Sequence, residues 1–329
     1  MRFFLARRGA LAFAAALTAS LSLFSGVASA QSPAAAKPAE VRIGFQKYGT
    51  LTVLKAKGDL EKRLGAQGIA VKWTEFPAGP QLLEGLNVGS IDFGTVGEAP
   101  PIFAQAAGAD LVYVANQPPA PSAEALIVPK DSPIRTLADL KGKKVVLNKG
   151  SNVHYLLVKL LEKQGLKYTD ISVVYLPPAD ARAAFERGAV DAWVIWDPFL
   201  AAAERQLGAR VVADGQGVVA NHQFYLAERG YAEKYPQVVQ AIIEELARLD
   251  RWSENNGAAV AALLAPQIGL DLATTEVAAG RFAYGIQPIT PAIAAEQQKI
   301  ADAFHALKLI PKPIRIADAL PKSVRTAAK

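Results

Sequence analysis

The chain has 329 residues, with 36 Lys+Arg against 30 Asp+Glu, three His and no Cys. Without cysteine there are no disulfides, thiol nucleophiles, thiolate metal sites or lipid-modified N-terminal Cys; His154, His222 and His305 lie far apart, so neither a metal nor another cofactor is expected. Removing Arg2, Arg7 and Arg8 with the first thirty residues lowers the formal net charge from +6 to +3, and no basic block marks a nucleic-acid partner.

The first element in chain order is a leader. Arg2, Arg7 and Arg8 precede an uncharged apolar run, and Ala28-Ser29-Ala30 is a small-residue cleavage site just before Gln31. That order is a secretory signal peptide, residues 1–30, with cleavage after Ala30 and export to the periplasm as the expectation. Arg7-Arg8 also permits twin-arginine export. No later uncharged run is long enough to span a bilayer, so the mature protein is expected to be soluble.

Next comes a β-branched run, Val41–Phe45, which predicts a buried strand followed by the loop "QKYGT" and a helix. Residues 83–112, LEGLNVGSIDFGTVGEAPPIFAQAAGADLV, then read helix, Gly-x-x-Asp, apolar strand, acid, proline-started helix, Gly, strand. A proline-rich break at 117–133 encloses a short extended segment, Glu124–Val128. Lys144–Asn148 is a second buried strand, and "NKGSN" leads into a helix with Val153, Leu156, Leu157, Leu160 and Leu161 at helical spacing. Gly165 stops it, and Ser151 or Asn152 is a natural N-cap. If Asn152 is only a cap, Asn152→Asp should leave helix stability nearly unchanged, because the two residues cap about equally well.

Residues 182–212, RAAFERGAVDAWVIWDPFLAAAERQLGARVV, repeat the earlier pattern. Gly188 and Asp191 fall in register with Gly89 and Asp92, and Asp197 with Glu98. Each half therefore reads as alternating strands and helices, the grammar of a mostly parallel sheet flanked by helices. Ligands of such sheets bind beyond the carboxyl ends of the strands, which gathers "QKYGT", "GTVGE", "NKGSN" and "IWDPF" around one cleft. A second extended segment, "ANHQFYLAE" at 220–228, gives a second crossing. Residues 121–225 are thus expected to be an inserted lobe II, with lobe I built from 31–120 and 226–329. After Pro236 the pattern is helical, with stripes Val239-Ile242-Leu246-Leu249 and Ile293-Ile300-Phe304-Leu307. Trp73 and Trp193 read as core or strand-face residues.

Four stretches carry a family resemblance: "FPAGPQLLEGLNVGSIDFGTVGEAPPIFAQAAGADLVYV", "LKGKKVVLNKGSNVHYLL", "YLPPADARAAFERGAVDAWVIWDP" and "FYLAERGYAEKYP". They resemble the periplasmic aliphatic sulfonate-binding proteins of ABC importers, a group that also includes taurine-, nitrate- and pyrimidine-precursor-binding relatives. The resemblance implies a two-lobed periplasmic-binding-protein fold (type II), α/β, with two interlobe crossings. It also implies a small organic sulfonate as ligand, an inner-membrane ABC permease as partner, no catalysis and a monomer. An enzyme on the same fold is the competing class; no nucleophile–base pair can be placed for it.

A sulfonate has three acceptor oxygens and no proton to give, so its site needs donors and positive potential. Under the resemblance, Ser151, Asn152 and His154 supply these at a helix N-terminus. Gln46, Gly49 and Thr50 supply the facing loop; Thr95 and Gly97 leave room at a strand end. Trp196 covers the alkyl chain, and Glu98 meets an amino group on a ligand such as taurine. Asp197, followed by Pro198, reads first as an N-cap. Tyr284 and Arg281 reach the rim.

Overall fold

The computed structural model describes residues 37–322 and Val324; the expected leader and its cleavage site lie outside the described residues. The first part of the chain runs β1 (Glu40–Phe45), α1 (Gly49–Lys57), α2 (Asp59–Gly65), β2 (Ala70–Glu75), α3 (Gly79–Asn87), β3 (Phe93–Gly97), α4 (Pro100–Ala106) and β4 (Leu111–Asn116). The middle runs β5 (Glu124–Val128), β6 (Lys144–Leu147), α5 (Asn152–Gln164), β7 (Ser172–Tyr175), α6 (Pro178–Glu186), β8 (Ala192–Trp196), α7 (Phe199–Leu207) and β9 (Arg210–Asp214). The chain ends with β10 (Gln223–Glu228), α8 (Arg229–Lys234), α9 (Pro236–Ser253), α10 (Gly257–Ile268), α11 (Leu272–Ala279) and α12 (Pro291–Ala306).

The strands form two five-stranded sheets, ordered β2-β1-β3-β10-β4 and β7-β6-β8-β5-β9. In the first, β1 pairs in parallel with β2 and β3, while β10 runs antiparallel between β3 and β4. In the second, β6 pairs in parallel with β7 and β8, while β5 runs antiparallel between β8 and β9. The two orders superimpose element for element. The strand that follows each crossing enters the opposite sheet at the equivalent place, so the repeat seen in the residues is a repeat of topology.

The matched Gly-x-x-Asp positions explain how each half is built. Gly89 and Gly188 adopt φ of +69° and +67°, a left-handed conformation that glycine takes without steric cost. The aspartate three residues on then braces the neighbouring parallel strand. Asp92 Oδ2 accepts the Arg42 N–H at 2.7 Å, and Asp191 Oδ2 accepts the Lys144 N–H at 2.7 Å. Both aspartates are therefore sheet-starting devices.

Alternation along the central strands fills the cores. In β8, Trp193 is fully buried and stacks obliquely 5.8 Å from Phe185. Trp73, on edge strand β2, is a strand-face residue: it is half-buried against the core beside Phe45 and donates its indole N–H to Glu61 at 2.6 Å. The edge position leaves one of its faces uncovered. Trp252, at the end of α9, lies under the Lys57 ammonium at 4.3 Å.

Candidate ligand-binding cleft

The cleft forms where the carboxyl ends of β1, β3 and β8 meet the start of α5. Gln46 and Tyr48 follow β1, Gly97 ends β3, Gly79 and Pro100 open α3 and α4, Ser151 and Asn152 open α5, and Trp196 ends β8. With Gln223, the first residue of β10, these side chains enclose a gap of about 10 Å³. A second gap of the same size adjoins it at Tyr48 and Gln223, lined also by Gly49 and Thr50. Each holds about one water-sized sphere, so neither holds a larger molecule in this arrangement.

Helix α5 brings its amino end to this gap. Ser151 is the N-cap by conformation (φ −84°, ψ 170°), yet it makes no side-chain capping bond; its hydroxyl donates to the Asn148 carbonyl at 2.7 Å. The His154 N–H turns back to the Ser151 carbonyl at 3.0 Å, so the Asn152 and Val153 amides are the ones left without a capping side chain at the positive end of the helix dipole. Asn152 is the first helical residue, and its amide donates to Glu124 Oε2 at 2.5 Å and to Asn221 Oδ1 at 3.0 Å. Burial, and then the nearby Glu98, push the Glu124 carboxyl well above the usual range. Trp196 is 7% exposed, with Phe199 perpendicular to it at 6.1 Å. Gln46 donates to the Thr95 carbonyl at 3.2 Å, which holds its amide at the gap.

Of the residues expected from sequence, Gln46, Gly97, Ser151, Asn152 and Trp196 come together here. The others are placed differently, each for a physical reason. Thr95 spends its hydroxyl inside the sheet, on the Phe224 carbonyl of β10 at 3.2 Å. Gly49 starts α1 at φ +70°, and Thr50 donates to Asp250 at 2.7 Å in a buried network with Gln117 and Gly285, so both line only the adjoining gap. Tyr284 packs beside Phe282, its hydroxyl buried without a hydrogen-bond partner among the described residues. Glu98 follows Gly97 but gives its carboxylate to the His222 N–H at 3.1 Å, beside a separate cavity at the crossings.

Asp197 is not the N-cap of α7, which begins at Phe199 with Pro198 before it. Its carboxylate still accepts the Ala201 N–H at 3.0 Å and faces Arg281 at 3.4 Å; Arg281 also reaches Glu204 at 2.7 Å. Burial nevertheless pushes the Asp197 carboxyl up to about 7. Arg281 therefore ties the segment after α11 to the lobe that carries Trp196, instead of reaching a ligand.

His154 is removed from the cleft altogether. Its ring is fully buried among Phe103, Phe304, Tyr168 and Tyr175. Nδ1 accepts the Gly150 N–H at 3.2 Å, so the proton sits on Nε2, which donates to the Tyr168 hydroxyl at 2.8 Å. Burial, reinforced by Lys149, depresses its pKa to about 3. His154 ring resonances should therefore show no titration between about pH 5 and 8 when followed by NMR. The folded pKa lies below the ordinary value of about 6.5, so this histidine's contribution to stability is lost as pH falls from about 6.5 toward 3. A midpoint near 6.5 in the native protein would place the ring in solvent.

Sequence reasoning missed Tyr48, Gln223 and Glu124. The two polar residues carry a signal in hindsight: Gln223 pairs across the sheet with Gly97, and Glu124 with Trp196. The first residue of each crossing strand stands opposite the cleft end of the strand it joins, at equivalent places in the repeat. Tyr48 is fixed by its ring contact with Phe282, 4.5 Å away, which only the fold brings near.

Two pseudo-equivalent α/β lobes, joined by two crossing strands and closing on a donor-rich helix start, define a solute-binding protein of the two-lobed kind. The comparisons agree. The chain belongs to the NMT1/THI5-like family, whose model matches residues 65–248, and it falls among the SsuA proteins of that family. It is 48% identical over 286 residues to an Escherichia coli (strain K12) protein named for binding aliphatic sulfonates, covering 86% of this chain and 89% of that one. The alkanesulfonate-binding protein SsuA of Xanthomonas axonopodis pv. citri, solved bound to MOPS, superimposes with a TM-score of 0.83 at 44% identity, covering 87% of this chain and 99% of that one. The periplasmic aliphatic sulphonate binding protein SsuA of Escherichia coli gives 0.79 at 46% identity, covering 87% and 93%.

Proposed function

We propose that the protein is an exported, non-enzymatic solute-binding protein that captures aliphatic sulfonates between its lobes and delivers them to an inner-membrane ABC permease. The observation that carries this reading is the uncapped amino end of α5 facing a gap walled by Trp196. A sulfonate head group needs only donors there, and free backbone N–H groups with the helix dipole supply them without a cation. The Trp196 face offers apolar surface to the alkyl chain. Gln46, Tyr48, Gly97, Ser151, Asn152, Trp196 and Gln223 are the proposed ligand contacts. On this reading the leader is cleaved after Ala30, the mature protein works in the periplasm as a monomer, and residues 121–225 move as one lobe against 31–120 and 226–329.

Calorimetry with ethane-, butane- and hexanesulfonate tests both the ligand class and the role of Trp196. Affinity should rise along the series, by about 0.8 kcal/mol or fourfold for each methylene buried. Matched carboxylates should bind more weakly. In Trp196→Ala the loss should grow with chain length; an equal loss for every sulfonate would assign the indole to packing. Absence of heat for all three sulfonates with the parent protein would remove the ligand assignment.

A further inference from the structure

The crossings bring one carboxylic acid from each sheet into the same buried place. Glu98 follows the last residue of β3 and is 1% exposed; Glu124 opens β5 and is fully buried. The second crossing runs between them. Glu98 Oε2 accepts the His222 N–H at 3.1 Å. The neighbouring Asn221 Oδ1 and Glu124 Oε2 share the Asn152 amide, at 3.0 and 2.5 Å. Asn221 also donates to the Ala120 carbonyl of the first crossing at 2.8 Å, and it holds φ at +54°, a left-handed conformation that asparagine tolerates better than most side chains. Both acids are therefore held at the segments that join the two sheets.

Each acid keeps its other oxygen, Oε1, buried with no hydrogen-bond partner among the described residues. No Lys or Arg among the described residues pairs with either carboxylate. Around Glu98 stand Glu296 and the exposed Lys299 of α12, Tyr155 of α5 and the His222 ring. That ring meets the Gln117 carbonyl at 2.8 Å through Nδ1 and Glu296 at 3.5 Å through Nε2. Around Glu124 stand Glu98, the Asn152 amide and the Tyr48 hydroxyl, with Trp196 opposite it in the sheet. A carboxylate taken out of water with an unpaired oxygen and no cation costs far more than the neutral acid, so such a group keeps its proton instead. Burial accordingly pushes Glu98 up to about 7, with Glu296 adding to the rise and the His222 and Asn221 N–H groups opposing it. Burial, then Glu98, pushes Glu124 well above the usual range against the pull of the Asn152 amide.

We propose that closure of the cleft is coupled to proton uptake by this acid pair. Parted sheets let water reach Glu98 and Glu124, and both ionise; closed sheets bury them together with at least one proton retained. The coupling rests on the reading above, that residues 121–225 move against the rest of the chain to admit a sulfonate. The sulfonate itself has no proton to exchange, so any uptake belongs to the protein. In water a glutamic acid titrates near about 4.3, below both closed-state values. Closure therefore binds protons between those limits and is favoured at low pH. Sulfonate affinity falls as pH rises through about 7, up to about tenfold per pH unit for one linked proton. Capture is thus tightest in acidic surroundings.

The test is calorimetry of the mature protein with butanesulfonate at about pH 7 in phosphate and in Tris, buffers with different heats of ionisation. The expected result is uptake of about one proton per sulfonate bound, with a Kd that rises from about pH 5.5 to pH 8. Glu98→Gln and Glu124→Gln each mimic the protonated acid, so each should lower the uptake and flatten the pH profile. The double variant should bind at least about tenfold tighter than the parent at about pH 8, whereas loss of a merely structural contact would weaken binding. Urea titrations give a readout without ligand: the double variant should gain stability over the parent as pH rises from about 5 to 8. Equal heats in the two buffers, or undiminished uptake in the double variant, would overturn the coupling and leave the sulfonate assignment standing. The buffer comparison on the parent holds whether or not the variants fold. A parent that gives no heat fails the ligand assignment instead, and a urea gap that ignores pH would then overturn the acid pair as well.

Discussion

Asn152→Asp should destabilise the protein by about 2–5 kcal/mol and abolish sulfonate binding. The side-chain amide holds two buried acceptors, Glu124 Oε2 and Asn221 Oδ1, and a carboxylate in its place removes both donors, leaving the Glu124 contact to be met only by a shared proton. Each buried acceptor so orphaned costs about 1–3 kcal/mol. This reverses the expectation drawn from capping alone: Ser151, not Asn152, occupies the cap, and Asn152 works as a donor inside a polar network. The penalty has a pH signature. The new carboxyl faces Glu124, so one of the pair keeps its proton in the folded state at a pKa above the unfolded value of about 4. Burial and Glu98 already raise Glu124 in the parent, so both proteins lose stability as pH rises, and the added carboxyl makes the fall steeper in the variant. Urea titrations should show the gap from the parent narrowing from about pH 8 to pH 5. Equal stability of parent and variant at both pH values would show that the network contributes nothing.

Gly97→Ala should lower sulfonate affinity ten- to a hundredfold while leaving each lobe folded. A Cβ at this position would lie 2.9 Å from Asn152 Cγ and Oδ1 and 3.0 Å from its Cβ. Those atoms belong to the opposite lobe and are pinned by Glu124 and Asn221, so they have nowhere to retreat. Gly97 itself is not in the left-handed region, and alanine suits its backbone. Overpacking of this kind costs about 1–3 kcal/mol, which here is charged to closure. Small-angle scattering should show a more open ligand-free protein, and calorimetry the weaker binding. Unaltered affinity with an unaltered scattering profile would mean that the lobes do not meet at this pair in the bound state.

The fold was legible because its grammar is local and repeated. Gly89 and Gly188 need a positive φ, Asp92 and Asp191 brace neighbouring strands, and prolines mark the joins, so each signal lies within a few residues of its effect. The site was half legible. Strand ends and helix starts could be placed from the repeat, which brought Gln46, Gly97, Ser151, Asn152 and Trp196 together. Where each side chain points could not. Gly97 and Glu98 are neighbours in sequence yet line different cavities, Gly97 as the last residue of β3 and Glu98 in the bend that follows it. His154 looks like a donor at a helix start until the aromatic rings that bury it arrive from elsewhere in the chain, Phe103 and Phe304 among them. Thr50 is claimed by Asp250, which lies two hundred residues away.

Strand β10 completes the first sheet between β3 and β4, and it follows every strand of the second sheet in the chain. A polypeptide emerging amino end first can therefore finish β5 to β9 as one contiguous unit while β3 and β4 still wait for the strand that belongs between them. Until Gln223–Glu228 appears, both present unpaired backbone edges, the kind of surface that recruits strands from other chains. The crossing between the two sheets thus also sets the order of assembly. A chain that stops short of residue 223 would carry a finished second sheet joined to an open first one, a product made for aggregation instead of transport.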